Sequence, residues 1–132
     1  MNATSVDIAA MLEAYGNSEL GLTLTANMFV GREPTTPDNC VTVFDTPGYG
    51  PQLTMDAAQY EFPSVQIRVR NRTYVAGWNV INGIKDALHG RAHETWNGTL
   101  YSVIVCANGP FLLDWDENNR ARFVVNFDIQ RR

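Results

Sequence analysis

The sequence has no apolar run long enough to cross a membrane, no positively charged start leading into an apolar stretch, and only two cysteines in 132 residues. The first absence excludes a transmembrane helix, and the second reads as a chain with no signal peptide. Cys40 and Cys106 each sit inside an apolar run with no CxxC spacing. They read as buried thiols of a reducing compartment, not as a disulfide. Without secretion, the Asn-x-Thr sequons that begin at Asn2, Asn71 and Asn97 are coincidence.

Positive charge is also in short supply. The formal net charge is −4, whereas a free-standing binder of duplex nucleic acid concentrates Lys and Arg to displace counterions from phosphates. The positive residues that exist are clustered. Arg68, Arg70 and Arg72 alternate along one segment, and Arg120, Arg122, Arg131 and Arg132 crowd the last stretch. Arginines at strand period read either as a solvated sheet face or as a docking edge.

Catalytic signatures are missing as well. There is no GxSxG elbow, no Walker loop and no HExxH pair. Gly48-Tyr49-Gly50 lacks the third glycine and the following helix of a phosphate cradle. His89 and His93 stand four apart, but Gly90 should end the helix between them, so they read as solvated histidines. His89 then suits a helix C-terminus. Asp45, Asp56 and Glu61 read as surface or loop carboxylates. The expectation is a non-enzyme with no cofactor and no metal site.

What is present is the composition of a globular domain, 45% hydrophobic and 18% charged. The length suits one domain over 1–132 that buries about two-thirds of its unfolded surface. Ser5 can cap a first helix, with Asp7 in its first turn, Ile8, Met11, Leu12 and Tyr15 on one stripe, and Gly16 at its end. Extended segments follow at 27–31 and 40–45, joined by a turn-rich loop at 31–39. Residues 46–62, containing Pro47-Gly48-Tyr49-Gly50-Pro51, read as a long loop, a kind that is often functional. Its Tyr49, Leu53, Met55 and Tyr60 are apolar groups that a solvated linker would not keep.

The clearest strand alternates Val65, Ile67 and Val69 with Gln66, Arg68 and Arg70. A second helix spans 74–89 with Tyr74, Trp78, Ile81, Ile84 and Leu88 on its stripe; Gly77, on the same stripe, permits close approach to a sheet. Asn97-Gly98 marks a two-residue hairpin. A strand at 101–106 reads as buried on both faces, Asn108-Gly109-Pro110 breaks the run, and 111–115 pairs with 122–130. The order implies an α+β fold: a largely antiparallel or mixed β-sheet with two α-helices packed on one face.

The ordered pieces Gly31-Arg32, Pro34, Pro37-Asp38-Asn39-Cys40, Pro47-Gly48, the run Tyr60-Glu61-Phe62-Pro63-Ser64-Val65-Gln66-Ile67-Arg68-Val69-Arg70, Asp86-Ala87-Leu88-His89-Gly90, Asn97-Gly98-Thr99 and Arg122-Phe123-Val124-Val125-Asn126-Phe127 span nearly the whole chain. Together they resemble the tailed-bacteriophage proteins described as minor capsid or tail terminator proteins. The resemblance implies a structural virion subunit, in the tail or neck, assembled in the host bacterial cytoplasm. It implies self-association into a ring, typically a hexamer, that caps the tail tube of a long non-contractile tail and joins it to the head. The implied partners are further copies of itself, the tail tube protein and the head–tail connector or neck proteins, with genome DNA passing through the lumen without specific recognition and no membrane. A neck or head-completion subunit is the neighbouring station. The candidate assembly interface is Arg68, Arg70 and Arg72 with Tyr49, Leu53, Met55 and Tyr60.

Overall fold

In a computed structural model the described residues are 1–16, 20–53 and 59–132. The order of elements is α1 (Thr4–Gly16), β1 (Met28–Val30), β2 (Cys40–Leu53), β3 (Gln59–Asn71), α2 (Tyr74–Leu88), β4 (Ala92–Trp96), β5 (Thr99–Trp115) and β6 (Ala121–Arg131). The strands form one six-stranded sheet in the order β1-β2-β3-β6-β5-β4. Only the β1–β2 pair is parallel, so the fold is α+β with a mixed sheet.

The core follows from period-two patterning on the sheet and helical stripes above it. Val41 and Val43 of β2 stand opposite Val69 and Ile67 of β3, which stand opposite Phe123 and Val125 of β6. All six are buried under Ile8, Met11 and Leu12 of α1 and Ile81, Ile84 and Leu88 of α2. Gly77 lets α2 settle onto the sheet, because a Cβ there would lie 2.7 Å from the Phe123 ring. Tyr74 and Trp78 meet that ring edge-on, at 5.1 and 6.2 Å between centroids. At the β4–β5 turn Asn97 and Gly98 both take positive φ, 50° and 79°, the conformation that a tight two-residue hairpin demands.

Helix α1 is capped by a residue distant in sequence. Ser5 donates its backbone N–H and its hydroxyl to the Asp45 carboxylate, at 2.9 and 2.6 Å. The strand thus satisfies an orphan donor of the helix N-terminus, where local reading expected Ser5 to act as the cap. Asp7 lies in the first turn, as expected, and is wholly buried. It accepts from Asn97 at 2.7 Å and makes a short bond with the Tyr101 hydroxyl, which also meets Arg131. Burial and the Asp7 contact push the Tyr101 phenol far above its ordinary range, so it stays protonated as a donor.

Three sequence expectations are corrected. Within 46–62 the described residues are strand, not loop: β2 runs to Leu53 and β3 begins at Gln59, with register shifts between Thr46/Tyr49 and Tyr49/Gln52. The strand absorbs its prolines and glycines as bulges. At Gly48 a Cβ would fall 2.0 Å from the Phe62 carbonyl oxygen, so glycine is what lets the strands cross closely. Asn108-Gly109-Pro110 likewise bends β5 without ending it, with shifts between Cys106/Asn108 and Asn108/Phe111. Finally, β5 is not buried on both faces, because Val105 on its outer side is 41% exposed.

Candidate assembly surfaces

The loop 31–39 closes over the outer face of the sheet at one end, held there by arginines. Arg70 is 3% exposed; it donates to the Asp38, Thr35 and Pro37 carbonyls and pairs with Glu33 at 3.1 Å. Arg120 reaches the Thr35 carbonyl at 2.8 Å and pairs with Asp38 and Asp116. Arg122 makes a two-pronged bond to Asp114 at 2.6 and 2.5 Å. These contacts set the local acidities. The hydrogen bond from Arg72 holds Asp38 below the usual carboxylate range, and that from Arg122 does the same for Asp114. Desolvation pushes Asp116 the other way, but bonds from Arg120 and Asn118 outweigh it and bring it down too.

The three alternating arginines therefore play different parts. Arg70 is a neutralised anchor, and Arg72 lies past the end of β3, exposed and paired with Asp38 at 2.5 Å. Arg68 stays on the outer face, half-buried, stacked 5.1 Å above the Phe44 ring and bonded to Gln66. They do not form one continuous positive edge.

The apolar candidates gather on the distal half of the β2–β3 pair. Every residue from 47 to 53 is exposed, with Tyr49 at 79% and Leu53 at 75%. Tyr60 lies across from Gln52 and carries Arg132 5.2 Å above its ring. Met55 and Asp56 lie outside the described residues. Tyr49 also lines a shallow depression of about 180 Å³ with Phe62, Val103 and Val105.

Two further surfaces escaped sequence reading. The end of β5 exposes Phe111, Leu113 and Trp115, at 42–49%. Strand β4 pairs only as far as Val103, so beyond it β5 has no strand on its outer side among the described residues. A signal was available: Phe111-Leu112-Leu113 is apolar at both parities, more than one covered face can bury. On the opposite flank, beside β1, Val6, Leu24, Phe29, Val30 and Pro34 line an open groove of about 690 Å³, with Arg32 and Glu33 at its rim.

The Asp45 carboxylate caps α1, and Glu61 pairs with Arg131 at 3.0 Å. The Nδ1 of His89 accepts from the Cys106 amide at 2.9 Å, while His93 lies on β4, so the two histidines do not converge. Burial pushes both thiols up, away from a reactive thiolate. Among the described residues no group of three or more His, Cys, Asp or Glu is placed to hold a metal.

The exposed arm and the open β5 edge leave apolar surface uncovered in the single chain. The comparison with protein families makes this specific. The family described as bacteriophage tail terminator protein matches residues 11–132, and the chain belongs to that family. No curated protein matches it. Membership makes it a structural phage tail protein that associates with other tail or head components. No described helix is long and apolar enough to cross a membrane.

Proposed function

We propose that this chain forms a ring, of six copies, that caps the tail tube and offers the surface by which the tail joins the head. The mechanism is physical. Ring closure fixes copy number, and a face unlike the tube stops elongation. The observation that carries the reading is the arm at 47–53, which offers Tyr49 and Leu53 to solvent from a pair of strands rooted in the core. Apolar groups held out on a rigid support suit a partner's pocket, since little side-chain or backbone freedom is lost on docking. The arm runs along the strands, so in a ring joined flank to flank it points along the ring axis, toward tube or head. Arg68 lies on the outer face between the arm and the pinned loop, whereas Arg72 pairs with Asp38 at the opposite end of the β2–β3 pair and Arg70 holds the loop.

The test is co-assembly of the chain with tube protein of the same phage, read by electron microscopy of tube lengths. The wild-type chain should sit as a ring on one end of each tube and arrest growth. Tyr49→Ser with Leu53→Ser should leave tubes uncapped. Tubes that elongate unchanged beside the wild-type chain, or a chain that binds only neck or connector proteins, would overturn the terminator station.

A further inference from the structure

The two surfaces that sequence reading missed lie on opposite flanks of the sheet, at the same height. Phe29 stands opposite Thr42, Thr42 opposite Arg68, Arg68 opposite Val124, and Val124 opposite Phe111. One row of residues thus crosses the sheet from the β1 groove to the open edge of β5, a span of roughly 19 Å at the usual strand spacing. A head-to-tail contact closes into a ring, and does not climb into a helix, when its two halves are displaced sideways without a rise. These two halves meet that condition.

Their chemistry is also matched. The β5 edge offers Phe111, Leu113 and Trp115, and the groove offers Val6, Leu24 and Phe29. The groove's volume falls in the range of roughly 300–1,000 Å³ typical of built binding sites. Exposed Glu117, two residues past Trp115, and exposed Arg32 beside the groove are without ion-pair partners among the described residues, and their charges are opposite.

We propose that the end of β5 in one copy of this chain docks into the β1 groove of the next copy, with Phe111, Leu113 and Trp115 covering Val6, Leu24 and Phe29, and Glu117 facing Arg32. This contact rests on the ring reading above and supplies its lateral joint.

The experiment breaks each half separately. Leu113→Glu with Trp115→Glu removes the edge, and Val6→Glu with Leu24→Glu removes the groove; all four side chains are at least 39% exposed, so folding is spared. By solution mass, wild type should form rings as concentration rises, and each double variant alone should stay monomeric. An equimolar mixture should stop at a one-to-one dimer, because only one good edge and one good groove remain. Arg32→Glu should weaken assembly several-fold, and adding Glu117→Arg should restore it.

Each other outcome has a definite reading. Wild type that is monomeric at every concentration sinks both ring and joint. Rings formed by either double variant alone sink the joint and leave the ring. Dimers formed by the groove variant alone show β5 pairing with β5 and replace the head-to-tail contact.

Discussion

Strand β2 is buried over its first four residues and exposed over its last seven, although one partner, β3, accompanies both halves. The proximal half lies beneath two helices and beside the arginine-pinned loop. The distal half keeps ladder pairs such as Tyr49↔Phe62 and Leu53↔Gln59 but has little apolar cover. Backbone hydrogen bonds are nearly neutral against water, so the ladder shapes both halves, while stability comes from what is buried. One end of the pair belongs to the fold and the other is offered to a partner.

Substitutions sharpen that contrast. The largest effect is expected at Ile67, fully buried between Val43 and Val125. Ile67→Asp places an unpaired charge in the core at a cost of several kcal/mol, against a total stability of about 5–15 kcal/mol. Circular dichroism should show an unfolded or insoluble chain.

Next comes Arg70→Glu, which sets a carboxylate beside Glu33 and strands three carbonyls. Breaking such a buried pair costs about 3–5 kcal/mol, so the midpoint of chemical denaturation should fall sharply. Strand period alone put Arg70 with Arg68 on a solvated face or docking edge, whereas its contacts with residues 33–38 make it part of the fold.

Acid should act on the same loop. Asp38, Asp114 and Asp116 are held below the ordinary value of 3.8, so their contribution is present above it and is lost as pH falls through their lower folded values. Thermal unfolding followed between pH 7 and pH 2 should weaken below about pH 4, and Asp114→Asn should blunt that fall.

Asp45→Ala is expected to cost about 1–2 kcal/mol through the lost cap, seen as a lower melting temperature. Smallest of all, Tyr49→Ser with Leu53→Ser should move stability by less than about 0.5 kcal/mol while abolishing tube capping. If these arm changes unfold the chain, the division between the two halves is mistaken.

How far the sequence revealed this arrangement depended on the range of the interactions. The helices, the inner face of β3 and the Asn97-Gly98 turn were legible because their signals are local periods and turn chemistry. The arm was misread because Pro47, Gly48, Gly50 and Pro51 look like loop residues until the bulges that absorb them are seen. Tyr49 and Leu53 were singled out all the same, since apolar groups among turn residues stand out, and the structure leaves both exposed. Arg70 was not separable from Arg68, because its partners lie more than thirty residues away in sequence. The β1 groove joins α1, the segment before β1 and the loop after it, so no local pattern could announce it.

Asp45 has a mechanical consequence. It stands where β2 leaves the cover of the helices, and its carboxylate grips the first turn of α1 through Ser5. The next residue of that turn, Val6, lines the groove on the subunit's flank. A load applied to the arm therefore reaches the groove by two routes, through Asp45 to the wall at Val6 and through the β1–β2 ladder to Phe29 and Val30, so traction along the strands and grip between flanks are mechanically joined.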